Sequence, residues 1–190
     1  MKLAVIGGGG FRVPQIFQAI SADDARLRVT ELWLYDISTT RLEVMGNVLD
    51  QLGGDVARPP QVHTTTNLDD ALEGADFVFS AIRVGGTAGR NSDEHIALRL
   101  GVLGQETVGP GGLAYALRSV PHAQALAERI SERAPQAWTI NFTNPAGILT
   151  EAMREVLGNR VVSICDTPIG LMRRAARAVG QEPRDVDFDY

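Results

Sequence analysis

The opening of the chain, MKLAVIGGGGFRVPQIFQAI, constrains its fold more than any other stretch. An apolar, β-branched run over residues 2–6 stops at Gly7, Gly8, Gly9 and Gly10, and Val13, Ile16, Phe17 and Ile20 then recur at helical spacing. Strand, glycine loop and helix in that order predict the first unit of a parallel sheet. The following stretches keep the rhythm. ELWLYDI reads as a second strand ending in Asp36, TTRLEVMGNVLDQL as a helix, QVHTTTNL as a third strand, LDDALEGA as a short helix, and DFVFSAI as a fourth strand buried on both faces. A glycine-rich insertion, RVGGTAGRNSDEHIALRLGVLGQETVGPGGLAYALRSV, then mixes charge with short helical pieces, and an insertion of this length usually carries a site. Alternation resumes with VPHAQALAERISERA as a helix, QAWTINFT as a strand, PAGILTEAMREVLG as a helix and RVVSICD as a strand. Parallel strands need crossover connections, so the order predicts an α/β fold: a doubly wound, Rossmann-like, mostly parallel sheet with helices on both faces.

In such a sheet, ligands sit beyond the carboxyl ends of the strands, which is where the functional candidates must be sought. The loop at residues 7–12 matches the dinucleotide fingerprint at its first two glycines, and Arg12 stands at the third position. Asp36 can accept hydrogen bonds from ribose hydroxyls and would repel a 2′-phosphate, which favours NAD over NADP. The bland alternative is a glycine-rich turn that binds nothing. Arg83 in AIRVGG and Arg90 in TAGRNSDEH follow the fourth strand, where a guanidinium either grips a carboxylate, phosphate or hydroxyl-rich ligand or faces solvent. Glu106 in GQETVGPGG either anchors its loop or belongs to a site. Asn141, Thr143 and Asn144 in NFTNPAGI serve either a cap and turn or a ligand.

Cys165 is the only cysteine, with Asp166 beside it. A lone cysteine ending an apolar run is commonly a small buried hydrophobe, whereas a thiolate beside a carboxylate suits a divalent ion or proton transfer. His63, His95 and His122 are scattered, show no metal-ligand spacing to Cys165, and read as surface or loop residues. The formal net charge of -5 argues against general nucleic-acid binding. The first apolar run is too short for a signal-peptide core or a membrane span, and a single cysteine suits a reducing compartment, so a cytoplasmic protein without nucleic-acid or membrane partners is expected.

Five motifs, MKLAVIGGGG, IRVGG, GQETVGPGG, INFTNPAGI and CDTPIG, occur in this order over nearly the whole chain. Together they resemble the NAD-dependent family 4 glycoside hydrolases, especially the 6-phospho-β-glucosidases. The resemblance implies hydrolysis outside the usual two-carboxylate scheme. In such enzymes NAD+ takes a hydride from C3 of the sugar, a base removes the acidified C2 proton, the aglycone leaves, water adds and the hydride returns. A divalent metal, usually Mn2+, polarises the C2 and C3 oxygens.

The resemblance further implies roles for individual residues. Gly7, Gly8, Gly9, Gly10, Phe11, Asp36, Arg41 and Ile82 would contact the cofactor. Arg83, Arg90 and Asn144 would contact a phosphorylated disaccharide or β-glucoside. Cys165 would ligate the metal, Asp166 would protonate the leaving group and Glu106 would tune the base. Asparagine is usual at position 166 in the β-specific members, and the aspartate resembles the 6-phospho-α-glucosidases. FTNPAGI and IRVGG stand closer to the β branch, so β specificity is expected.

Family members are about twice this long, more than one doubly wound domain needs. Residues 1–190 are therefore expected to form the NAD-binding domain and the start of the catalytic site. The remaining metal-binding histidine, the C2 base and much of the sugar pocket would lie beyond Tyr190. Such a chain is expected to bind NAD, to hydrolyse little or nothing, and to expose apolar surface that favours a homo-oligomer. Two other readings share the fold: a hydroxy-acid dehydrogenase, which would accumulate NADH, and a nucleotide-sensing module without chemistry.

Overall fold

The computed structural model describes residues 1–54 and 56–189. Its strands are β1 (Lys2–Ile6), β2 (Glu31–Tyr35), β3 (Gln61–Thr65), β4 (Phe77–Ser80), β5 (Trp138–Asn141) and β6 (Val161–Ser163). They form one sheet in the order β3-β2-β1-β4-β5-β6, with every pairing parallel. The helices are α1 (Val13–Ser21), α2 (Thr39–Gly53), α3 (Leu68–Leu72), α4 (Gly86–Arg99), α5 (Gly109–Arg133), α6 (Ala146–Leu157) and α7 (Asp166–Ala178). The doubly wound α/β fold expected from the alternation is the one observed.

β1 shows why the sheet must be covered twice. Its residues alternate between two cores: Leu3 and Val5 pack with Val13, Phe17, Leu32, Leu34 and Leu49. Ala4 and Ile6 pack on the other face with Val78, Leu126, Ile130 and Met153. Successive strand side chains point to opposite faces, so a run buried at both parities needs helices on each side. The strand order reverses at β1, where Ile6 pairs with Tyr35 of β2 and with Ser80 of β4. The glycine loop thus leaves the sheet at the crevice between the two halves, where doubly wound folds hold their ligands.

The glycine-rich insertion departs from the expected short pieces. It holds two regular helices, and α5 begins at Gly109 rather than at Val120. The glycines near its start serve contact: a Cβ on Gly112 would lie 2.3 Å from the Thr107 carbonyl carbon, and one on Gly111 would lie 2.8 Å from the Gln105 oxygen. Close packing of the first turn on the preceding loop overrides poor glycine propensity. At the other end, the last strand stops at Ser163, short of the expected Asp166, which instead opens α7.

Gly7 has φ +97, and a Cβ there would meet the Ala81 carbonyl oxygen at 2.5 Å. Gly7→Ala is expected to cost about 2–3 kcal/mol of stability by combining backbone strain with a clash against β4's exit, measured by urea denaturation. A loss below about 0.5 kcal/mol, the range of ordinary surface changes, would show that the loop relaxes.

Candidate active site

Three groups of side chains lie at the carboxyl ends of the strands. The first is the glycine loop. The amides of Gly7 and Gly8 donate to the Tyr35 carbonyl at 3.0 and 2.7 Å, and that of Gly10 donates to the Gly7 carbonyl at 2.9 Å. Asp36, only 8% exposed, accepts from the Gly9 amide through Oδ2 and from the Ser38 amide through Oδ1, both at 3.0 Å. Its carboxylate therefore braces the loop, and each oxygen keeps lone-pair capacity for a further donor.

Arg41 lies against Gly9, and its amide donates to the Ser38 Oγ that caps α2. Ile82, half-buried, faces Gly7, and its amide donates to Thr143 Oγ1 at 3.0 Å. Among the described residues, no acceptor takes the backbone amides of Phe11 or Arg12, directly ahead of α1. The Phe11 side chain is 80% exposed. Amides left free at a braced glycine loop and helix N-terminus fit a pyrophosphate.

The second group follows β4. Arg83 forms an ion pair with Glu106. The ring of buried Tyr115 is near two guanidinium groups, Arg83 at 5.4 Å and Arg118 at 5.3 Å from its centroid. Burial pushes the Tyr115 hydroxyl above its ordinary pKa, and the Arg83 charge offsets part of that rise. Arg118 grips Asp93 through two hydrogen bonds of 2.7 and 2.6 Å and donates from Nε to the Val84 carbonyl at 3.1 Å. Those bonds to Asp93 push the Arg118 guanidinium above its ordinary pKa. Arg90 turns to Glu94 at 2.8 Å, one helical turn along, with the Glu106 charge near enough to be felt.

The third group lies after β5 and β6. Asn141 and Thr143, candidates for ligand contact, are buried and engaged: Asn141 Nδ2 donates to the Thr143 carbonyl and to Thr150 Oγ1, while Thr143 Oγ1 also meets Ser80 Oγ at 3.2 Å. Asn144 is half-buried and makes no side-chain hydrogen bond among the described residues. Cys165 is exposed at the cap of α7, so the buried-hydrophobe reading is overturned. Asp166 accepts a 3.0 Å bond from Arg12 Nη2, and the Arg12 guanidinium lies over the Phe142 ring at 4.5 Å. His63 sits on β3, stacked on Trp33 at 4.4 Å, rather than in a loop.

The structure thus gathers the cofactor candidates at one crevice, joins Arg83 to Glu106, and ties Asp166 to the glycine loop through Arg12. Sequence reasoning missed the roles of Arg12, Asp93, Tyr115 and Arg118; the visible signal for Arg12 was a cation standing where a glycine was sought. Among the described residues, no group of three or more His, Cys, Asp or Glu side chains can hold a metal ion. Cys165 alone does not make a metal site. No described helix is long and apolar enough to cross a membrane.

Comparison with known proteins adds four findings. The sequence model of the family 4 glycosyl hydrolases matches residues 2–181. All of the chain aligns with a probable 6-phospho-beta-glucosidase of Bacillus subtilis at 39% identity, spanning 42% of that relative's length. It also aligns throughout with 6-phospho-alpha-glucosidase 1 of Lacticaseibacillus paracasei at 38% identity, spanning 43% of its length. In three dimensions, 98% of the chain superposes with a TM-score of 0.88 and 33% identity on 43% of a 6-phospho-alpha-glucosidase from gut microorganisms, solved in complex with NAD and Mn2+.

Proposed function

The chain belongs to the family 4 glycosyl hydrolases, and we propose that it is the NAD-binding part of a 6-phospho-β-glucosidase. The observation that carries this reading is the braced glycine loop at the sheet's switch point, with the Phe11 and Arg12 amides free for a pyrophosphate. When bound, NAD supplies a reversible hydride acceptor, so that oxidation at C3 of the sugar makes the C2 proton removable.

The chain's own residues bind and position. Gly7, Gly8, Gly9, Gly10 and Phe11 line the pyrophosphate, Asp36 faces the ribose, and Arg41 and Ile82 flank the loop. Arg83, Arg90 and Asn144 contact the phosphorylated sugar, with Glu106 holding Arg83 in place and tuning the base. Asp166 gives a proton to the leaving oxygen. Cys165 contributes one ligand to a divalent cation, Mn2+ in this proposal, and its partners are not among the described residues. The chain spans about two fifths of the curated relatives it matches, and the rest of the sugar pocket is assigned to what those longer proteins carry besides the matched region.

A specific residue favours the α anomer as a second reading: Asp166 resembles the α-specific branch, and the α-glucosidase relative is almost as similar as the β one. The test is release of p-nitrophenol from the 6-phosphorylated β- and α-glucosides by the full reading frame that encodes this chain, with and without NAD+ and Mn2+. Turnover of the β-glucoside that needs both additions and accumulates no NADH is expected. Preference for the α-glucoside would move the assignment to the second reading, and NADH formed from a hydroxy acid would replace both with a dehydrogenase.

A further inference from the structure

The Arg12–Asp166 pair has no part in the reaction as proposed, yet it joins the cofactor loop to the residue assigned as proton donor. The two side chains are 154 positions apart in sequence, and only the fold brings them together. Arg12 leaves the glycine loop as the cap of α1, beside its own free amide, so its backbone and side chain start from the same anion-binding corner. The guanidinium lies over Phe142, 4.5 Å from its ring centroid, and 5.2 Å from that of Phe11. Of its five N–H donors, a single nitrogen, Nη2, has an acceptor among the described residues, the Asp166 carboxylate. The pair is partly solvated, at 33% and 61% side-chain exposure. A single-bond contact in water is weak and exchangeable.

A pyrophosphate at the loop carries more charge than one carboxylate and offers several acceptor oxygens to the same fork of donors.

We infer that Arg12 is a cofactor-responsive latch: its guanidinium holds Asp166 in the free protein and passes to the pyrophosphate when a dinucleotide binds, which unties the start of α7 from the glycine loop. The inference rests on the dinucleotide reading of the glycine loop and not on the identity of the sugar. It makes Arg12 a positioning residue that links cofactor occupancy to the start of α7.

The test is a double-mutant cycle on NAD+ affinity, measured by titration calorimetry with no sugar present. Asp166→Asn, which leaves Arg12 only a weaker, neutral competitor, is expected to tighten NAD+ binding about 2- to 5-fold. Arg12→Gln is expected to weaken it about 5- to 20-fold, and Arg12→Lys less. In the Arg12→Gln background, Asp166→Asn is expected to change affinity by less than about 1.5-fold, because no shared cation remains to compete for. Equal tightening by Asp166→Asn in both backgrounds would reduce the effect to charge repulsion and overturn the latch. So would unchanged affinity in Arg12→Gln. Wild-type protein that binds no NAD+ at millimolar concentration would overturn the cofactor reading itself, a result distinct from the other two. Thermal unfolding of each variant separates lost folding from lost coupling.

Discussion

Arg118→Ala is expected to destabilise the fold by about 3–5 kcal/mol, the largest single effect on stability anticipated for this chain. Asp93 is buried, at 3% exposure, and both of its oxygens are taken by the Arg118 guanidinium. Removing the arginine leaves a carboxylate without its partner inside the packing of α4 against α5, and an unpaired buried charge costs far more than the intact pair contributes. The arginine also fills the space beside two glycines: Nε lies 2.9 Å from where a Cβ on Gly85 would stand, and Cζ lies 3.1 Å from the equivalent point on Gly89. These glycines leave room for the guanidinium, which in turn closes the Val84 carbonyl at 3.1 Å.

Arg118→Lys keeps the charge but not the fork, so an intermediate loss is expected. Asp93→Asn keeps one acceptor and should also fall between wild type and Arg118→Ala. Urea denaturation of the three variants checks the ranking. A loss for Arg118→Ala below about 1 kcal/mol, the scale of a surface ion pair, would mean that Asp93 reaches water once the arginine is gone. The effect extends to the proposed site, because Arg118 and Arg83 share the Tyr115 ring.

What the sequence revealed and what it hid divide along a physical line. Patterns local in sequence were legible: the continuous apolar run of β1, the helical stripe of Val13 and Phe17, and the glycine run between them fixed the first unit. Alternation with crossovers then left few topologies, and the switch point at β1 followed. Asp36 could be placed because the end of a strand has one address in such a fold. Its brace on Gly9 could not, since that bond depends on how the loop folds back on β2.

The start of α5 was misplaced because Gly111 and Gly112 look like helix breakers until the close approach of Thr107 and Gln105 is known. Asp93 and Arg118 lie 25 residues apart on two helices, and no periodicity announces such a pair. Arg12 was visible, but only as a defect in a fingerprint. Its partner comes from the far end of the chain, so its meaning appears once β6 is laid beside β5.

Asp166→Ala is expected to lower kcat about 100- to 10,000-fold for a 6-phosphoglucoside with an alkyl aglycone, in the full reading frame supplied with NAD+ and Mn2+. The size is that of a lost general acid, and the choice of substrate isolates the role. An alkoxide is a poor leaving group and needs its proton as the bond to C1 breaks, whereas p-nitrophenolate leaves well without one. The same variant is therefore expected to lose less than about 10-fold on the p-nitrophenyl substrate, so that rate depends more steeply on leaving-group pKa in the variant than in wild type. A merely structural part for Asp166, such as fixing Arg12 over Phe142, would slow both substrates alike. Asp166→Asn sharpens the comparison, since the amide still accepts a bond from Arg12 but holds no acid proton. Equal losses on both substrates would remove the acid role from Asp166, and the proton would then have to come from another group in the longer protein. The position favours Asp166: it opens α7 beyond the edge strand β6, 61% exposed, and is tied to the glycine loop by Arg12, the cation that the cofactor is expected to claim.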